Sequence, residues 1–258
     1  MKGDEFMLVS DLMSTPVHAA QPSDPVSHAR KVMLRHKISR VLVVERGRAL
    51  GIITKKDIGF RLRKNDPDWR HRKMDNVPLS QVMSTDLVSI SPDSSIRDAL
   101  VVLLSHNISG APVIDQGMVL GMLTRTDILR SQLVEQLDKP VTDLMHEPVH
   151  VTSHHSFAHV VDLIQSGAGA VVVVDDGRAV GIITESDLAF YEEDSEHAGS
   201  GTAGAVMRPI LPSLPETART KQAVEVMIKT ASQSVIISGE NGIKGIITRD
   251  DIIREVVQ

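Results

Sequence analysis

Four short stretches of this 258-residue chain end on the same pair of polar side chains. They are Gly51-Ile52-Ile53-Thr54-Lys55-Lys56-Asp57, Gly121-Met122-Leu123-Thr124-Arg125-Thr126-Asp127, Gly181-Ile182-Ile183-Thr184-Glu185-Ser186-Asp187 and Gly245-Ile246-Ile247-Thr248-Arg249-Asp250-Asp251. Each apolar run followed by Thr-x-x-Asp marks a strand that gives way to a helix. Two chemistries suit that place. The first is structural: Thr caps the helix and the acid three residues on answers the Thr N–H, a capping box that needs no ligand. The second is recognition. A helix start offers free N–H groups and partial positive charge to a phosphate, and a short carboxylate can accept both vicinal hydroxyls of a ribose. A capping box is usually completed by Glu or Gln. Asp in all four copies, at Asp57, Asp127, Asp187 and Asp251, favours the ribose role.

The four acids lie 70, 60 and 64 residues apart, and a Met recurs upstream of each, in Asp11-Leu12-Met13, Gln81-Val82-Met83, Asp143-Leu144-Met145 and Ala205-Val206-Met207. A fixed period with two fixed marks is the signature of a repeat architecture. In the second copy, Val88–Ile90 reads as a short strand and Pro92 to Ser95 as a helix start. Ile96, Ala99, Leu100, Leu103 and Leu104 recur at helical spacing, and Asn107 to Gly110 ends that helix. Ala111–Asp115 and Val119–Leu123 read as a hairpin about Gln116-Gly117, and Thr124 opens a second helix running towards Val134. The order is strand, helix, strand, strand, helix. One such unit of about 55 residues buries too little to be stable alone. Val171–Val174 is apolar on both faces and needs cover on both sides. The copies are therefore expected to pair.

The pattern resembles the CBS domain, the family named after cystathionine beta-synthase. The likeness rests on a leading Met-Ser-Thr, a helix, Ile108-Ser109-Gly110-Ala111-Pro112-Val113-Ile114-Asp115 and the closing Gly-x-x-Thr-x-x-Asp. It covers residues 8–257 as repeats 8–62, 78–133, 140–194 and 203–257, and it is similar to the gamma subunit of AMP-activated protein kinase and to stand-alone archaeal proteins of four repeats. The resemblance implies an α+β fold of α/β-like character, with repeats paired into two pseudo-twofold modules, 8–133 and 140–257, able to form a disc. It further implies a regulatory, non-catalytic protein that binds adenine nucleotides (AMP, ADP or ATP) in clefts between paired repeats and signals through a protein partner or self-association. S-adenosylmethionine is the alternative ligand. The family's Asp holds ribose and its Thr sits near phosphate.

The kinase subunit carries a basic pair just before the second strand, where this chain has Ser39-Arg40, Ser109-Gly110, Gly169-Ala170 and Gln233-Ser234. Only Arg40 keeps a cation, which places the phosphate of the Asp127 cleft beside Arg40. The residue after each Met lines the cleft entrance in the family. Here it is Ser14, Ser84, His146 and Arg208, so the first two repeats form the better adenosine pocket.

Composition limits the other classes. Aromatic residues are 2% of the chain, too few for a platform that stacks single-stranded bases, and the net charge of −5 gives no general attraction for nucleic acid or anionic membrane. There is no cysteine, hence no disulfide, thiolate nucleophile or thiolate metal site. Residues 1–10 lack a basic stretch followed by an apolar run, and no segment is long and apolar enough to span a bilayer, so a cytoplasmic protein without a membrane partner is expected. No nucleophile–base set appears, and no cofactor or metal is required. Five histidines, His146, His150, His154, His155 and His159, crowd one region, but only His155 and His159 share a helical face, so a polar rim is expected before a zinc or copper site. The insert 61–73 has six Lys or Arg against Asp66 and Asp68, a charge of +4 beside Trp69. It reads as a solvated linker, with contact to nucleic acid or a partner as the alternative.

Overall fold

The computed structural model describes residues 7–58, 74–190, 201–209, 212–240 and 242–257. The basic insert 61–73 lies outside them. The chain divides into two compact units, with the boundary between Ile128 and Leu129.

Each unit is built on two repeats of one design, the residues of repeat two from Leu129 onward falling in the second unit. In the first, a short helix α1 (Val9–Leu12) leads to strand β1 (Ala19–Ala20), helix α2 (Val26–His36) and a hairpin of β2 (Arg40–Glu45) and β3 (Arg48–Thr54), with helical residues resuming at Lys55. The second has a 3₁₀ turn at Leu79–Gln81, helix α3 (Ile96–Ser105), β4 (Gly110–Asp115), β5 (Met118–Thr124) and two short helices, α4 (Arg125–Leu129) and α5 (Gln132–Glu135). The third runs through a 3₁₀ turn at Val141–Asp143, β6 (Val149–Val151), α6 (Phe157–Gln165), β7 (Ala170–Asp175), β8 (Arg178–Thr184) and α7 (Glu185–Phe190). The fourth consists of α8 (Ala203–Val206), β9 (Ser213–Pro215), α9 (Thr220–Thr230), β10 (Ser234–Gly239), β11 (Gly242–Thr248) and α10 (Arg249–Val257). The mixed α and β architecture with four repeats is the one expected.

Repeats one, three and four form three-stranded sheets in which the lead strand runs parallel to the first hairpin strand and the hairpin is antiparallel. Repeat two departs from expectation. Val88–Ile90 is not a strand, and only Ile90 bridges, to Val113. The reason is one proline. In repeats one and four the amides of Leu42 and Ile236 donate to His18 and Pro212 of the lead strand, at 3.2 and 2.9 Å. Pro112 occupies the equivalent place and has no N–H to give, so the ladder stops after one residue. The closing helix of repeat two also differs, ending at Leu129 and restarting at Gln132. Ser131 between them is extended, and its carbonyl takes the amides of Val134 and Glu135.

Aliphatic side chains make the core. Val41, Leu42, Val43 and Ile53 in one hairpin and Val171, Val172, Val173 and Ile183 in another have no exposure, as strands covered on both faces require. Within the second unit Ala170, Val172, Ile182, Ile236 and Ile246 form one cluster, so the hairpins of repeats three and four pack face to face.

The two recurrent marks meet each other. Met83 of repeat two lies over Gly51 of repeat one and Met13 over Gly121; in the second unit Met207 lies over Gly181 and Met145 over Gly245. The residue after each Met then pairs with the residue after that Gly by reciprocal backbone hydrogen bonds. Ser14 and Met122 exchange bonds of 2.8 and 3.1 Å, Ser84 and Ile52 of 2.8 and 2.9 Å, His146 and Ile246 of 3.0 and 2.9 Å, and Arg208 and Ile182 of 2.9 and 3.0 Å. Each repeat thus lends its lead segment to its neighbour's hairpin.

A Cβ on Gly51 would stand 2.6 Å from Met83 Sδ and 2.8 Å from the Ser84 carbonyl oxygen, so even the smallest side chain must displace backbone. Gly51→Ala is expected to destabilise the first unit by about 1–3 kcal/mol in chemical denaturation, the usual cost of overpacking. Adding Met83→Ala should recover only part of that loss, because the Ser84 carbonyl remains.

Candidate functional site

All four Thr-x-x-Asp motifs share one local geometry. The Thr amide donates to Asp Oδ2 at 2.8 Å in Thr54 and Thr124 and at 2.7 Å in Thr184 and Thr248. The Thr hydroxyl donates to the same oxygen at 2.6 Å in every copy. The Asp amide returns a bond to the Thr Oγ1 at 3.2–3.3 Å in Asp57, Asp127 and Asp251. This is a capping box with Asp in place of Glu, closed entirely by groups of the motif itself. One carboxylate oxygen is spent on the cap, and the second decides what else the acid can do.

At Asp127 and Asp187 the second oxygen is met by the residue after the Met of the paired repeat. Ser14 Oγ donates to Asp127 Oδ1 at 2.9 Å. Arg208 Nε lies 2.8 Å from Asp187 Oδ1, and its Nη2 is 3.4 Å from Thr184 Oγ1. His146 Nε2 approaches Asp251, at 3.5 Å from Oδ2. Ser84 is joined to Ile52, two residues before Thr54, and Asp57 is buried at 6% exposure. The entrance residues proposed from sequence therefore do not merely line an opening; three of them touch the acid.

Arg40 is 8% exposed and lies where repeat two leaves room for it. A Cβ at Gly110 would collide with Arg40 Nη1. Its Nη2 donates to Ser109 Oγ at 2.8 Å and Ser39 Oγ at 3.2 Å. The Ser109 carbonyl accepts the Arg125 amide at 3.1 Å, so Arg40 reaches the start of the helix that carries Asp127. At the equivalent places in the second unit stand Ala170 and Ser234, both buried, and neither is a cation.

Of the five histidines, His146 faces Asp251 of the paired repeat, whereas His155 and His159 make local contacts. His155 Nδ1 accepts the Thr152 amide at 2.9 Å, and the His155 and His159 rings stack with centroids 5.2 Å apart. Among the described residues no group of three or more His, Cys, Asp or Glu is placed to hold a metal. A depression bounded by Gln21, Pro22, Val44, Glu45, Arg46 and Ser80 lies at the other end of β2 from Thr54 and contains none of the candidate residues. No helix among the described residues is long and apolar enough to cross a membrane.

The model of the CBS domain matches residues 9–62, 79–133, 141–194 and 203–258. The chain belongs to the CBS domain family. Among curated proteins it is 31% identical over 143 residues to the CBS domain-containing protein YhcV of Bacillus subtilis, covering 55% of this chain and 98% of that protein. It is 24% identical over 259 residues to the uncharacterised protein MJ1225 of Methanocaldococcus jannaschii, covering 90% and 92% of the two chains. The crystal structure of MJ1225, described as a candidate archaeal homologue of g-AMPK, superposes with a TM-score of 0.83 at 22% identity over 96% of this chain and 99% of that one. An uncharacterised conserved protein of Pyrococcus horikoshii gives a TM-score of 0.64 at 18% identity, covering 97% and 100%. These likenesses support the four-repeat CBS fold.

In this CBS chain the cap itself contributes stability, whatever it binds. Thr248→Ala and Asp251→Ala should each cost about 0.5–2 kcal/mol in the absence of ligand, the usual value of a helix N-cap. The double variant should cost much less than the sum, because both remove one shared contact. Denaturant midpoints of the three proteins test this.

Proposed function

We propose that this CBS chain is a regulatory sensor of adenine nucleotides of the AMP, ADP and ATP class, without catalytic activity of its own and with no cofactor. The ligand binds between paired repeats and acts through conformation on a protein partner or on self-association. What carries this reading is the convergence of Asp127, Thr124, Ser14 and Arg40 on one edge of the first unit. Asp127 and Ser14 supply an acceptor and a donor for ribose hydroxyls, and Thr124 stands at the helix start. Arg40, with its Nη2 2.8 Å from Ser109 Oγ, supplies the positive charge for a phosphate. A ligand that binds only the folded protein stabilises it by mass action, about 2.7 kcal/mol at a hundred times its Kd. The opposite cleft, with Asp57, Thr54 and Ser84, faces Gly110 and has no such cation at the strand start. In the second unit the candidate residues are Thr184, Asp187, Thr248 and Asp251.

AMP, ADP, ATP and S-adenosylmethionine, each at millimolar concentration, should be compared by thermal unfolding, with at least one nucleotide raising the midpoint. Failure of all four overturns the reading, and a shift by S-adenosylmethionine alone transfers it to that ligand. No phosphate should be released from ATP. In calorimetric titration Arg40→Ala should weaken AMP about tenfold to a hundredfold, the value of a charge-assisted phosphate contact, and leave adenosine nearly unchanged. Asp127→Ala should weaken both. Equal losses of AMP and adenosine in Arg40→Ala would remove Arg40 from the phosphate site.

A further inference from the structure

The two units carry their positive charge in different places. In the first, the cation stands at the strand start (Arg40) and the residues after Met are Ser14 and Ser84. In the second, the strand starts are Ala170 and Ser234, and the residues after Met are His146 and Arg208. Ala170 and Ser234 are both buried and uncharged, so neither position answers an anion with charge.

Arg208 is held where it can. Its backbone is pinned to Ile182 by bonds of 2.9 and 3.0 Å, and Met207 beside it lies over Gly181. The guanidinium is therefore delivered to the Thr184–Asp187 cap by the clasp that joins the repeats. Its Nε is 2.8 Å from Asp187 Oδ1, yet it makes no aligned hydrogen bond there, so the contact is one of charge. The Arg208 side chain remains 42% exposed while that of Asp187 is only 12% exposed. The acid is thus enclosed with its counter-ion, and the counter-ion keeps an open side.

We propose that Arg208 makes the Asp187 cleft selective for adenosine ligands that carry an anionic 5′ group and closes it to the uncharged nucleoside. This rests on the adenine-nucleotide reading above and deepens it. With Oδ2 of Asp187 committed to Thr184, a ribose must compete for Oδ1, which Arg208 occupies. A neutral nucleoside that wins Oδ1 strips a nearly buried carboxylate of its counter-charge and leaves the guanidinium without an anion, both unfavourable. A 5′ phosphate removes the second penalty, because the guanidinium can turn onto it through several N–H donors. At Asp127 the competitor is only the Ser14 hydroxyl, which a ribose hydroxyl replaces without moving a charge. The cleft at Asp251 has His146 at the longer distance of 3.5 Å and is the less tightly guarded of the second pair.

Calorimetric titration of the full chain with adenosine and with AMP tests this in the wild type and in Arg208→Ser, Arg208→Gln and Arg208→Lys. Arg208→Ser and Arg208→Gln should raise the number of adenosine sites by one per chain and weaken AMP at that site about tenfold. Arg208→Lys, which keeps the charge, should retain the wild-type preference for AMP. Arg208→Gln retains most of the side-chain volume, so the comparison survives if the serine variant is unstable. An unchanged adenosine count in a protein that still binds AMP overturns the proposal alone, as does an equal loss of both ligands. Absence of binding by either ligand to every variant, wild type included, overturns this proposal together with AMP as the ligand, and the same titrations with ADP and ATP then decide the adenine-nucleotide reading itself.

Discussion

The structure depends on a clasp between a methionine and a glycine of different repeats. A single repeat cannot cover both faces of its hairpin. The solution is reciprocal. The lead segment of one repeat crosses to the other, lays its Met over a strand position that has no side chain, and fixes itself with two backbone hydrogen bonds. The glycine is required by proximity: at Gly121 a Cβ would stand 2.5 Å from Met13 Sδ, and at Gly181 2.5 Å from Met207 Sδ. The methionine suits the other half, since an unbranched thioether can follow a flat strand without demanding one rotamer. Because the same few residues place the next side chain over the neighbour's Thr-x-x-Asp, pairing of repeats and assembly of the candidate site are one event.

That coupling explains why the acid of the motif can have two roles without conflict. Its Oδ2 closes the helix cap and belongs to the repeat that carries it. Its Oδ1, at Asp127 and Asp187, is turned to the paired repeat. A substitution at the acid therefore disturbs local folding and ligand chemistry together, whereas a substitution at the residue after Met changes the chemistry while the backbone clasp remains. The entrance position is where one repeat can be tuned apart from another at little cost to the fold.

Much of this was legible in the sequence, because the marks recur at one place in every copy. The spacing of Asp57, Asp127, Asp187 and Asp251 yields four repeats, and the run Ile96 to Leu104 yields α3. What escaped was set by single residues acting across the chain. Val88–Ile90 has the composition of a strand, but Pro112, which denies it a partner, lies more than twenty positions away. The helix expected to run from Thr124 towards Val134 contains Ser131, whose extended backbone splits it. The contact of Met83 with Gly51 was signalled by co-occurrence alone, two invariant marks in every repeat whose separation along the chain gives no hint that they touch. Arg208 and His146 were visible as departures from serine; that they reach the carboxylates follows only from the register of the clasp.

The distribution of charge is what separates the two pairs. Around Asp127 the cation comes from a strand start and is buried: Arg40 is nearly enclosed, fills the place left by Gly110 and is steadied by Ser39 and Ser109, so its position is set before any ligand arrives. Around Asp187 the cation comes from the entrance, is open to solvent on one side and is spent on the acid itself. On the proposed reading, a fixed cation beside an acid held across the repeats by only a neutral hydroxyl would add to binding with little movement of charge. On the same reading, a cation paired to the acid must first be moved, so binding there would require breaking Arg208 away from Asp187. If the chain signals as proposed, the rearrangement that a signalling protein needs and a passive binder does not would be coupled most directly to the cleft whose entrance residue departs furthest from serine.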